Sequence, residues 1–222
     1  TSYTLTGLTP YSDYEVMVKT IVGNEFSNSE IYSFRTQCTP AEVPYNEPFT
    51  GLTTLPTDWR VDVSNYAEVV TEVDNGHMTM HNTVTEVTEY YYGYPLTYTL
   101  YSDFSAYIIL PYFNNLGSLQ LSFKAGRTQG ALESLQVGVM ADQNNNAIFT
   151  PIGTATLTDN AKGEVYSYNL VNDAIQNGHI VIHFSNSDDV VQSIWLDDFS
   201  VQQHAAPTNR EVSNVTNTSA TL

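Results

Sequence analysis

Hydrophobic and polar residues alternate along most of the chain with a period of two. Leu119, Leu121 and Phe123 form one such row, Leu135, Val137 and Val139 a second, and Ile180, Ile182 and Phe184 a third. That period puts successive side chains on opposite faces of a half-buried strand. Between the rows stand residues that favour turns: Asn114-Asn115-Leu116-Gly117, Asp142 to Asn146, Asp159-Asn160, Asn177-Gly178 and Ser187-Asp188-Asp189. Many short strands at even spacing predict an all-β protein, a sandwich or jelly roll. Only Asp173 to Gln176 reads as a helical turn. The longest apolar stretch, Ala106 to Phe113, is short and broken by Pro111, so no membrane insertion is expected.

The two ends read differently from the middle. Leu8-Thr9-Pro10-Tyr11-Ser12-Asp13-Tyr14 leads into a strand with Tyr14, Val16, Val18, Thr20 and Val22 on one face; Gly23-Asn24 turns it, and Ile31 to Arg35 forms another strand. Residues 1–38 resemble the C-terminal half of a fibronectin type III module, an immunoglobulin-like sandwich. In that family a Leu, a Pro two residues on and a Tyr four further on make a corner in which the Tyr hydroxyl bonds back to the backbone. Residues 204–222, with Ala206-Pro207, Val212, Val215 and Ser219 to Leu222, resemble the first strands of a second such module. The expectation is a segment of a longer modular protein, with terminal strands that pair with each other or with a neighbouring chain, or pack on the central domain.

Residues 42–203 form the compact middle. Its opening is Tyr45-Asn46-Glu47-Pro48-Phe49-Thr50-Gly51 followed by Leu55-Pro56-Thr57-Asp58-Trp59. Its centre is Leu135 to Met140 followed by Phe149-Thr150-Pro151-Ile152, and its close is Ile194-Trp195-Leu196-Asp197-Asp198-Phe199-Ser200-Val201. Those phrases, in that order, are similar to bacterial jelly-roll domains of the cleaved-adhesin and choice-of-anchor type, relatives of MAM domains and of carbohydrate-binding modules. The resemblance implies a jelly-roll β-sandwich between partial fibronectin type III strands. One scaffold of this kind carries unrelated binding tasks.

Composition removes several functions. Of 222 residues, 24 are acidic and 7 basic, a formal charge of −17. A surface so poor in Lys and Arg does not neutralise phosphates, so nucleic acid is excluded, and anionic membranes repel it. Hydrophobic residues make up 41% and charged residues 14%, which suits a packed core and not a disordered tail. A single cysteine forms no intrachain disulfide. Cys38, at the seam after the first module, is a thiol or one half of a bridge to a residue outside this sequence.

Catalytic signatures are missing. There is no Gly-x-Ser-x-Gly elbow, no His-Glu-x-x-His and no phosphate-cradling glycine loop, and no set of residues divides into nucleophile, base and orienter. His77/His81 and His179/His183 are spaced by four, but on strands such pairs stand about 13 Å apart and do not share an ion. His179, Val181 and His183 are expected to face outward, opposite Ile180, Ile182 and Phe184. Asp142-Gln143-Asn144-Asn145-Asn146 opens like a calcium loop but lacks the glycine at the sixth position and the closing Glu, so a hairpin turn is expected there.

Two clusters remain as candidates. Tyrosine occurs 16 times and gathers in Glu89-Tyr90-Tyr91-Tyr92-Gly93-Tyr94-Pro95, then Tyr98 and Tyr101. Some of these rings fill core, but adjacent residues of a strand point to opposite faces, so others reach the surface. With Gly93 and Pro95 favouring a loop at the sandwich rim, Tyr90, Tyr91, Tyr92 and Tyr94 suit sugar stacking or a protein partner. The second cluster follows from the resemblance. In those modules an aspartate of the last strand and an acidic or hydroxyl group near the opening Phe share a structural calcium, which implies Asp197, Asp198, Glu47 and Thr50 here. Calcium takes about six to eight oxygen ligands, which carboxylates, hydroxyls and carbonyls from converging strand ends supply. Period-two parity puts Asp197 on the side of Phe199 and Val201, at the core edge. Without a metal, Asp197 caps backbone amides. The combined expectation is a non-catalytic, extracellular or cell-surface module for adhesion or binding of a glycan or extracellular protein. The alternatives are an accessory domain of a larger secreted hydrolase or protease, and a structural spacer.

Overall fold

A computed structural model describes residues 3–10, 12–23, 25, 26, 30–36, 38–63, 67–132, 134–142, 148–158, 163–171, 174–187 and 189–204. The chain divides into two compact units, Thr1–Ala41 and Glu42–Leu222. Most of the Asp142 to Asn146 turn, the Asp159-Asn160 turn, Asp173 and the strands expected beyond residue 204 lie outside the described residues.

The first unit holds β1 (Asp13–Val18), β2 (Ile21–Val22), β3 (Glu25–Phe26) and β4 (Glu30–Arg35). β1 runs antiparallel to β4, and β2 and β3 form a short hairpin. Where Asp13 faces Arg35 the guanidinium grips the carboxylate, Nε donating to Oδ1 at 2.7 Å and Nη2 to Oδ2 at 2.6 Å. Tyr14 stacks on Phe34, with ring centroids 5.9 Å apart, and its hydroxyl accepts the Thr9 N–H at 2.9 Å. The hydroxyl-to-backbone bond expected from the Leu8, Pro10, Tyr14 spacing is present.

The second unit contains β5 (Tyr45–Glu47), β6 (Arg60–Val63), β7 (Val69–Asp74), β8 (His77–Asn82), β9 (Val84–Tyr91), β10 (Tyr94–Tyr101), β11 (Phe104–Phe113), β12 (Leu119–Gln129), β13 (Ser134–Met140), β14 (Thr150–Thr156), β15 (Glu164–Asn169), β16 (Gly178–Asn186) and β17 (Ser193–Gln203). They build an antiparallel sandwich. One sheet has five strands in the order β14-β13-β16-β11-β6; the other has six, β15-β12-β17-β8-β7 with β5 also on β17. The inner faces carry the alternating rows of the sequence: Leu121, Leu135, Val137, Val139, Ile180 and Ile182 are 0% exposed. An aromatic group closes one end, with Phe199 ring centroids 4.8 Å from Trp59, 5.3 Å from Phe123 and 6.0 Å from Phe49. The Trp59 indole N–H donates to the Tyr45 hydroxyl at 2.7 Å, and burial pushes that hydroxyl's pKa up to about 12.

Register shifts break the period at several places, and two of them bear on the site. The register of β11 on β16 shifts between Ile109 and Tyr112, at Pro111, which has no N–H to give to a ladder. In β17 the register on β12 shifts where Ser122 pairs with Ser200 but Lys124 pairs with Asp197. The extra residue is Asp198, whose φ of 49° is left-handed, a conformation Asp tolerates better than most residues. The parity reading is corrected there. Ile194 and Leu196 point inward on one side of the bulge, and Phe199 and Val201 on the other, so Asp197 stands outside with Trp195 and not on the side of Phe199.

The expectation that His179, Val181 and His183 face away from the inner core holds as direction, but their exposure is corrected. Val181 is 0% and His179 3% exposed. Ile109, Met140 and Val181 form a small second cluster, covered by Tyr107, Ile148 and Phe149. Phe149 reaches over Gly138, where a Cβ would stand 2.6 Å from its ring. The His183 ring stacks on Tyr107 with centroids 4.2 Å apart. Burial depresses the pKa of both imidazoles.

Candidate functional site

The tyrosine cluster is neither in a loop nor in the core. β9 and β10 pair only with each other, as a two-stranded ribbon outside both sheets. Tyr92 and Gly93 form the two-residue turn at its tip, with φ of 51° and 83°. Two positive φ values match the mirror-image turns whose twist suits a hairpin, so Gly93 and Pro95 mark a hairpin and not a rim loop. Tyr90, Tyr91, Tyr92 and Tyr94 are 75%, 70%, 85% and 78% exposed. Tyr91 faces Tyr94 across the strands and Tyr90 faces Pro95, so the pairs occupy opposite faces. Tyr92 turns its ring edge-on to Tyr91, with centroids 4.6 Å apart. The face of Tyr91 and Tyr94 continues through Leu96, Val87, Tyr98 and Leu100, and the other face is threonine-rich, with Thr88 and Thr97 hydroxyls 2.9 Å apart. The Tyr98 hydroxyl donates to Glu89, at 3.0 Å.

The ribbon is held at its base. Asn82, 1% exposed, donates from Nδ2 to the carbonyls of Ser102 and Val190, each at 3.0 Å, and accepts the Gln192 N–H on Oδ1 at 2.8 Å. The Gln192 side-chain oxygen in turn accepts the amides of Ala131 and Leu132. Sequence reading missed this group, for neither residue stands in a recognisable pattern.

The residues implied as calcium ligands each have local partners. Glu47 Oε1 accepts the Phe49 N–H at 2.7 Å, and the Thr50 hydroxyl bonds the Pro48 carbonyl at 3.4 Å. Asp198 pairs with Lys124, and Asp197 Oδ1 accepts the Asp198 N–H at 2.7 Å. Glu47 and Phe199 are register partners, which brings β5 near the bulge. Burial raises the pKa of the Asp197 carboxyl above the ordinary carboxylate value; the Asp198 charge adds to this, and the Asp198 amide opposes it. Among the described residues no three His, Cys, Asp or Glu side chains are grouped to hold a metal ion.

No protein-family model matches the chain, and no curated protein matches it in sequence. Solved structures match it in shape. The K3 cleaved adhesin domain of Lys-gingipain from Porphyromonas gingivalis W83 aligns with a TM-score of 0.50 at 16% identity, over 73% of this chain and 99% of that one. The fold is shared with a cleaved adhesin domain. The K1 cleaved adhesin domain of the same protein aligns with a TM-score of 0.46 at 15% identity, over 74% of this chain and 100% of that one. A structure described for the promiscuous specificity of carbohydrate-binding modules of the β-sandwich superfamily gives a TM-score of 0.47 at 12% identity, over 87% of this chain and 75% of that one. At such identities the likeness speaks for the fold alone.

One aromatic residue of the closing phrase was not singled out from the sequence as a surface feature. Trp195 sits on the outer face of the six-stranded sheet, between the inward Ile194 and Leu196. Its neighbour on β12 is Gly126, and on the other side stands Thr79 of β8, which faces Glu72 of β7. The signal available was an aromatic at the polar phase of an alternating strand.

Proposed function

We propose that the chain is a non-catalytic binding module, displayed on a cell surface or secreted, which engages a glycan or an extracellular protein through the tyrosine tip of the β9–β10 ribbon. The observation that carries this reading is the exposure of Tyr90, Tyr91, Tyr92 and Tyr94, each at 70% or more, on a ribbon that belongs to neither sheet. Rings placed there contribute nothing to the core, yet they present flat apolar faces with a polar tip, the surface that sugar rings and protein partners bury well. The K3 domain, whose fold this chain shares, is called an adhesin, which agrees. Residues 1–38 act as a fibronectin type III-like spacer, a reading supported by the Tyr14 hydroxyl on the Thr9 amide.

Binding is tested on a glycan array and a panel of extracellular matrix proteins. Tyr91 and Tyr94 share one face and are exposed, so Tyr91→Ala with Tyr94→Ala spares the core. The double variant should melt as the parent does and weaken binding by about tenfold or more, the usual scale for exposed aromatic anchors. Parent-like binding would overturn the role of the tip.

Structural calcium is the second part of the proposal; what supports it is the register of Glu47 on Phe199, which brings β5 to the bulge beside Asp197 and Asp198, together with the partial burial of the Asp197 carboxylate. A cation against it would relieve that cost. Chelation should then lower the melting temperature, and Asp197→Ala should abolish the sensitivity. A melting temperature indifferent to chelator removes calcium from the reading.

A further inference from the structure

Trp195 lies along the sheet. A Cβ on Gly163 would stand 2.4 Å from Cη2 and 2.5 Å from Cζ2 of its ring, so the far edge of the indole rests against the Gly163 backbone. Gly126, the cross-strand partner of Trp195, is buried although it belongs to the outer face. The indole thus extends sideways from β17, past its glycine register partner on β12, to the start of β15. A tryptophan serving only to fill space would be expected inside, where the sandwich has its core. This one is half-buried on the polar side of the strand.

The surroundings are polar. Thr79 and Glu72 continue the same lateral row on β8 and β7, and Asp197 is the next outward residue along β17. His77 meets the indole edge-on, with centroids 6.0 Å apart. A flat apolar platform with a hydroxyl, an imidazole and carboxylates around it matches one ligand chemistry closely. The C–H face of a pyranose ring stacks on the indole, while its hydroxyls donate to Asp197 and Glu72 and exchange bonds with Thr79 and His77. One cation stands there too, Lys124, the register partner of Asp197, but it is paired with Asp198 and leaves Asp197 and Glu72 in excess. Those carboxylates repel sulfated sugars and uronates, as does the net charge of −17.

We infer that the outer face of the six-stranded sheet carries a second binding site, centred on Trp195, for a neutral pyranose unit. This rests on the reading that the module binds glycan, and it is separate from the tyrosine tip. The site is read by two measurements on the full chain, using a neutral glycan that scores on the array. The first needs no variant. Trp59 is 6% exposed, so emission quenched by a soluble quencher comes chiefly from Trp195, and saturation with the glycan should reduce that quenching. The second compares affinities. Trp195→Ala should weaken binding by about tenfold or more, with Trp195→Phe in between. Unchanged quenching on saturation, or parent-like affinity in Trp195→Ala, overturns the Trp195 site and leaves the glycan reading standing. Preference for acidic glycans overturns the neutral-pyranose assignment. Binding to a matrix protein with no glycan bound at all overturns both the site and the glycan reading.

Discussion

Phe199→Ala should lower stability by about 3–5 kcal/mol, the range found for large aromatics truncated in cores. At about 2–4 °C per kcal/mol for a chain of this size, the melting temperature should fall by about 10 °C. The cause is the position of the ring. Phe199 is 1% exposed and touches Trp59, Phe49 and Phe123, which come from the opening segment and from β12. Deleting it empties the junction where β5, β12 and β17 meet, and aromatic neighbours held at fixed angles do not collapse into the space. Phe199→Leu, which keeps much of the volume, should cost distinctly less. The effect reaches the outer face as well, because Asp198, the bulged residue, immediately precedes Phe199, and Trp195 lies just upstream. A melting temperature that drops by less than about 3 °C in Phe199→Ala, as followed by circular dichroism, would show that the aromatic group does not organise the sandwich.

Much of the architecture was written in the period-two rows. Leu121, Phe123, Leu135, Val137, Ile180 and Ile182 are all buried, as alternation required. Side-chain period is a local property, so a single chain displays it. The departures share one origin, long-range pairing. The bulge at Asp198 exists only against Lys124 and Ser122 of β12, and no reading of Trp-Leu-Asp-Asp-Phe alone counts the extra residue. The burial of Val181 depends on Tyr107 and Phe149, which arrive from β11 and from the segment before β14. The tyrosines were legible as a surface feature because consecutive rings cannot all face inward. Their place on a ribbon was not, since nothing in Tyr92-Gly93 says whether the flanking strands join a larger sheet. Trp195 needed most of all its glycine neighbours, which come from elsewhere in the chain, Gly126 within β12 as register partner and Gly163 just before β15 against the ring.

Asn82→Ala should have the other large effect, on stability and on binding alike. Its amide is the node that joins the base of the ribbon to the loop before β17, through the Ser102 and Val190 carbonyls and the Gln192 N–H. Removing it strands these backbone groups where Gln192 is 0% exposed. A buried group left without its partner costs about 1–3 kcal/mol, so a loss of about 2–4 kcal/mol is expected even though the alanine is easily accommodated. Asn82→Asp separates the causes. It keeps an oxygen for Gln192 but turns a carboxylate toward two carbonyls, so it should be no better than alanine, whereas a mere volume effect would make it nearly neutral. Hydrogen exchange should show the amides of 84–101 losing protection well beyond the rest of the sandwich, because an isolated two-stranded ribbon has little stability of its own. Ligand affinity at the tyrosine tip should fall with it, although no tyrosine has changed: a tip whose base is loose must be ordered again on each binding event. Uniform loss of protection across both sheets, with tip affinity unchanged, would mean that the Asn82 node supports the sandwich as a whole and that the ribbon holds its shape without it.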